Sequence, residues 1–147
     1  MFLFRKLKSF FLLSSRVKWL LFKAILISGV VRLTLSFLSF KIILKWLGKI
    51  NVESESLPHP PSLNIRKDIQ RAIALCDKYV FWKTECYTQS LTCKLLLKKY
   101  HLSSTVYIGF YKDEHGNYKG HAWLRSYDMV ITGGTDIDKY IVQTFFM

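Results

Sequence analysis

The sequence predicts an α+β fold, with helices first and a small antiparallel sheet last. Three observations predict it. Apolar residues recur at helical spacing as far as Tyr100. From Ser104 the period changes to two, with Val106, Ile108 and Phe110 alternating with Tyr107, Gly109 and Tyr111. A polar turn, Asp113–Asn117 with Gly116 in it, then separates that run from further short apolar runs, so the strands form a meander. The chain has 147 residues, 50% hydrophobic and 22% charged. That suffices for one core and leaves no room for a large two-domain enzyme.

The elements follow in order. Ser14 or Ser15 can cap a helix over Val17–Ser36. Its charges, Arg16, Lys18, Lys23 and Arg32, share no single stripe. A helix apolar nearly all round is buried by protein or lipid. The longest charge-free runs, Ala24–Val31 and Leu33–Phe40, fall well short of the roughly 20 residues that cross a bilayer. A core helix is therefore expected, with peripheral membrane contact through residues 1–50 as the alternative. No small-residue cleavage site follows a clean apolar stretch, which argues against a signal peptide. Lys41, Lys45 and Lys49 mark one face of a second short helix, Ile42, Ile43, Trp46 and Leu47 the other, and Gly48 suits its end.

Residues 1–50 thus read as a basic apolar helical lead-in, 51–62 as a linker and 63–147 as the main domain. The linker holds Pro58, Pro60 and Pro61, with His59 expected to be exposed. Asn64 can cap a helix from Ile65 to about Val80, with Ile69, Ala72, Ile73, Cys76, Tyr79 and Val80 on its apolar face. A third helix runs from near Glu85 to Tyr100, with Thr84 as cap. Lys119–Ser126 and Met129–Thr132 read as the second and third strands, joined at Tyr127-Asp128, and Lys139–Phe146 as the fourth.

Charge narrows the partners. Lys and Arg number 22 against 10 Asp and Glu, a net +12. Residues 1–50 hold ten Lys or Arg and no acid, whereas 51–147 hold twelve and ten, or +2. The basic excess belongs to apolar helices, with no basic patch interleaved with aromatics elsewhere, so nucleic acid is not an expected partner. Three cysteines, Cys76, Cys86 and Cys93, cannot all pair, which fits a reducing, cytoplasmic setting.

One constellation could do chemistry. Cys86 falls in the first turn of its helix, where free N–H groups and the helix dipole favour a thiolate nucleophile. His121, in Gly120-His-Ala-Trp-Leu on the second strand, could take the thiol proton, as in papain-like and transglutaminase-like sites. Zinc is a poor rival. Cys86 and Cys93 are seven residues apart on one helix, about 10.5 Å between Cα atoms, too far for bonds of about 2.3 Å to one ion. No metal or other cofactor is identifiable. Cys76 and Cys93 suit packed core thiols, His101 a helix end and His115 a solvated turn.

Trp82-Lys-Thr-Glu-Cys86-Tyr-Thr-Gln-Ser-Leu-Thr-Cys-Lys-Leu-Leu-Leu-Lys-Lys resembles the Cys-bearing helix of the lasso-peptide leader peptidases, transglutaminase-like proteins related to the microcin-processing B protein. Val106-Tyr-Ile-Gly-Phe and Gly120-His-Ala-Trp-Leu resemble that family's two strands, and Met129-Val-Ile-Thr-Gly-Gly with Tyr140-Ile-Val its closing segment. Arg32-Leu-Thr-Leu-Ser-Phe-Leu-Ser-Phe-Lys and Trp46-Leu-Gly resemble its helical lead-in. The resemblance implies a transglutaminase/papain-like core and a cysteine peptidase that removes the leader of a ribosomally made precursor before a cyclase closes a macrolactam. It implies Cys86 as nucleophile and His121 as general base. Fifty lead-in residues are too few for the family's recognition module, which implies the stand-alone form with a separate leader-recognition protein and a lasso cyclase as partners.

The family's third member, an Asp, aligns near Gly133, where there is no carboxylate. Asp136 is taken as the orienter, two residues beyond Gly134 on the face of His121. Thr132 and a backbone carbonyl are the alternatives, and Asp128 is read as a turn former. The Cys86 backbone N–H is the simplest oxyanion donor. Two other functions stay open: acyl transfer to an amine by the same pair, and a non-catalytic, membrane-associated peptide-binding module.

Overall fold

The computed structural model describes residues 11–39, 41–43 and 48–147. Three helices, α1 (Ser15–Phe37), α2 (Leu63–Tyr79) and α3 (Cys86–Lys99), precede four strands. The strands are β1 (Thr105–Lys112), β2 (Tyr118–Ser126), β3 (Met129–Thr132) and β4 (Ile141–Phe146). The sheet order is β3-β2-β1-β4 and every pairing is antiparallel. The fold is the α+β arrangement expected from the change of period. Residues 41–43 are helical; Lys45, Trp46 and Leu47 of the expected second helix lie outside the described residues.

Ser14 caps α1, its hydroxyl accepting the Val17 N–H at 3.3 Å. One face of α1, formed by Val17, Leu20, Leu21, Ala24, Ser28 and Val31, is buried against α2 and α3. The opposite face is equally apolar but open to solvent, with Trp19 58% and Val30 63% exposed. A helix buried all round, the sequence expectation, is thus only half realised. By length and composition α1 could cross a membrane, yet its inner face belongs to the protein core.

Two expected caps do different work. The Pro60–Ser62 turn places Ser62 at the start of α2, so Asn64 lies inside the first turn. The Thr84 hydroxyl donates to the Asp77 carboxylate, which ties the end of α2 to the approach to α3. Glu85 is then the N-cap of α3, with no side-chain bond to the first turn. At the other end His101 adopts a left-handed backbone (φ 55). Its N–H bonds the Lys98 carbonyl and the Leu102 N–H bonds that of Leu97, so the backbone closes the helix. Tyr79, expected on the core face of α2, is instead 40% exposed at its end.

In the β1–β2 register Ile108 faces Ala122 and Val106 faces Leu124. These four, with Phe146 of β4, join Leu91, Cys93, Leu96 and Leu97 of α3 in the core. Burying each large side chain contributes about 1.5–3 kcal/mol. The fourth strand starts at Ile141, not Lys139, because Asp136 takes a left-handed conformation (φ 54) and Ile137–Lys139 form a 3-10 turn.

The 51–62 segment is fastened to the sheet. The Ser54 N–H donates to the Thr105 hydroxyl at 2.7 Å, and Arg125 pairs with Glu53 at 3.2 Å. His59, expected to be exposed, is half-buried and stacks on Tyr127 with centroids 4.5 Å apart.

Candidate active site

Cys86 is the first residue of α3 and half-buried against the core cluster. Since the Glu85 side chain does not cap this helix, the first-turn N–H groups remain available to a negative charge at Cys86. α3 runs across the sheet so that Ser90 bonds the Thr132 hydroxyl at 3.1 Å. One turn earlier, Tyr87 approaches β2 at Gly120, where a Cβ would lie 3.6 Å from its phenol oxygen. Burial pushes the Tyr87 phenol up, and the neighbouring Cys86 adds to the shift. The Tyr87 side chain, from the first turn of α3, therefore reaches the strand position that precedes His121.

Alternation along β2 sends Ala122 and Leu124 into the helix-side core and His121 and Trp123 to the other face. The His121 ring lies against Trp123 (centroids 6.0 Å) and Tyr140 (4.9 Å). Its Nε2 is 2.8 Å from the Gly133 carbonyl oxygen. A carbonyl only accepts, so Nε2 carries the proton and Nδ1 of the neutral ring is the basic nitrogen. β3 ends at Thr132, opposite Leu124, so no strand flanks His121 on that side. Cys86 packs on the helix-side core whereas His121 lies on the other face of the sheet, and no hydrogen bond joins them.

Gly133 is fixed by its surroundings. Its φ is +67, and a Cβ there would come within 2.4 Å of the Ala122 carbonyl oxygen. No side chain fits at this position, which explains why a carboxylate is missing there and why a backbone oxygen stands in its place. Asp136, the orienter expected from sequence, does not bond His121. Its left-handed turn points the carboxylate at Lys139, 2.7 Å away, where it is 61% exposed. Thr132 is turned to Ser90 in the core, and Asp128, at the β2–β3 turn, is held by Arg66 at 2.9 Å.

Residues 34–144 match the Transglutaminase-like superfamily, well over half of the 147-residue chain. The chain belongs to this superfamily. No curated protein and no solved structure matches it significantly. The superfamily includes cysteine peptidases and acyltransferases, and this transglutaminase-like chain has a thiol at a helix start and a histidine on the adjacent sheet. The match starts within α1, so the end of the lead-in counts with the domain.

The other two thiols are packing groups. Cys93 is fully buried, which pushes its thiol far up, and Cys76 is raised by burial although its bond to Ser28 opposes this. Sequence inspection missed Arg66. This buried guanidinium donates to the carbonyls of Ser126 and His59 and to Asp128, and lies over Tyr127. It fixes the β2–β3 turn to α2. A lone Arg on an amphipathic helix gives no sign of such a role, because solvated arginines occur at the same spacing.

Proposed function

We propose that this transglutaminase-like protein is a cysteine peptidase that removes the leader from a lasso-peptide precursor. The observation that carries the proposal is a thiol, Cys86, on the first residue of α3 together with an imidazole, His121, on β2 of the same transglutaminase-like domain. The finer assignment, a lasso-peptide leader as substrate, rests on the ordered motif resemblance from Trp82 to Val142.

In the proposed reaction His121 Nδ1 takes the Cys86 proton and the sulfur attacks the leader–core carbonyl. The first-turn N–H of Cys86 stabilises the oxyanion. His121 then protonates the leaving amine, and water releases the acyl-enzyme. The Gly133 carbonyl holds Nε2–H throughout and so fixes the tautomer. The two groups lie on opposite faces of the sheet with no bond between them, so this step requires the imidazole to swing round the open end of β3 to the thiol when substrate binds. An extended leader suits the outer edge of β4, where Ile141 and Val142 are exposed next to Tyr140. A separate recognition protein presents the leader, and a lasso cyclase uses the product.

The test is precursor cleavage by the purified protein with its recognition partner, read by mass spectrometry. Cleavage with addition of water supports the peptidase. Transfer of the acyl group to an added amine would favour the acyltransferase. Undiminished cleavage by Cys86→Ala would remove the nucleophile assignment.

A further inference from the structure

The apolar side chains on the outer face of α1 form one stripe. Trp19, Phe22, Leu26, Val30, Leu33 and Phe37 are each at least 50% exposed. At 3.6 residues per turn they cluster within about a quarter of the helix circumference, directly opposite the buried Val17, Leu20, Ala24 and Val31. The stripe spans about 27 Å at 1.5 Å per residue, far more than scattered surface residues would give. Lys18 lies on one flank and Lys23 on the other, with the Lys23 ammonium 5.5 Å from the Trp19 ring centroid.

Charge decides among occupants. The 1–50 segment has ten Lys or Arg and no acid. A second copy would bring the same cationic surface against itself. Crossing a bilayer would tear Leu20 and Ala24, both 0% exposed, from the core. An anionic lipid surface fits both the stripe and its charged margins. We infer that α1 lies in the plane of an anionic membrane, with its Trp19–Phe37 stripe in the interfacial layer. The same helix holds the approach to Cys86: Trp82 packs on Gly29, and Arg32 pairs with Glu85 at 3.6 Å. Seating α1 thus docks the protein near its candidate site.

The test is co-sedimentation of the full chain with vesicles. Binding is expected to vesicles of phosphatidylcholine mixed with phosphatidylglycerol, and to fall with added salt and in phosphatidylcholine alone. The triple variant W19Q/L26Q/V30Q should bind about tenfold or more weakly, with unchanged circular dichroism and melting. Leu57→Gln, at an exposed apolar residue elsewhere, should bind like the wild type. Equal binding to both vesicle types, or full binding by the triple variant, would overturn the inference. So would a dimer that the triple variant dissolves without any lipid binding by the wild type.

Discussion

The two faces of the four-stranded sheet are built on different principles. The helix-side face, with Val106, Ile108, Ala122, Leu124 and Phe146, presents only apolar side chains to the core. The outer face stacks Tyr107 on Trp123 (5.5 Å) and places Tyr140 and Trp123 around His121, with Arg125 bonded to the Tyr107 hydroxyl at 3.0 Å. The first face depends on volume and exclusion of water. The second depends on ring orientation and one bond from an imidazole to a backbone oxygen. Neighbouring residues on one strand thus serve stability and proposed chemistry separately, so mutations one position apart should have unlike consequences.

The largest effect is expected at His121. His121→Ala should lower precursor cleavage by about 10²–10⁴-fold while the melting temperature stays near wild type, measured by mass spectrometry and calorimetry. Three positions away on the opposite face, Leu124→Ala should cost about 2–5 kcal/mol in urea unfolding and leave the reactivity of the remaining folded protein unchanged. If both variants behaved alike, the division between faces would fail.

Gly133 belongs to both. Gly133→Ala meets a positive φ and the Ala122 carbonyl, so a loss of about 1–3 kcal/mol is expected. The displaced carbonyl should also reduce cleavage, a combination that neither face alone produces. A charge under the core face gives a pH signature. Lys94 is 7% exposed, and burial pulls its ammonium down to about 8. The folded state favours the neutral amine, so stability should rise as pH passes about 8 towards the ordinary lysine range. Lys94→Met should be more stable by about 1–3 kcal/mol at pH 7 and lose that rise, as read from urea midpoints across pH. The smallest effect is expected at Asp136, whose exposed pair with Lys139 is worth well under about 1 kcal/mol. Asp136→Asn should leave both cleavage and melting near wild type, and a large loss of cleavage would restore it as the orienter.

Most elements were legible because periodicity reports burial. β1 and β3 fall where alternation placed them, and Ser14 caps α1 as its chemistry suggests. The outer stripe of α1 was hidden for the converse reason: a helix apolar on both faces does not announce which one the protein covers. Of the candidate site, the sequence shows that Cys86 starts a helix and that His121 lies on a strand, but not the acceptor that the His121 ring bonds. A backbone carbonyl has no letter of its own, and only the glycine pair at 133–134 hinted at an unusual chain path. Continuing the β3 alternation past Thr132 sets Asp136 on the face of His121, but the strand ends at Thr132 and Asp136 takes a left-handed conformation before a 3-10 turn.

The most direct test of the Cys86–His121 pair is the rate of iodoacetamide alkylation at neutral pH. Cys76 and Cys93 are buried, so the reaction reports Cys86, with Cys86→Ala as the blank. The wild type should react at least about tenfold faster than His121→Ala, because the imidazole takes the thiol proton. Equal rates in the two folded proteins would show that histidine and thiol act independently, and would contradict the proposed chemistry.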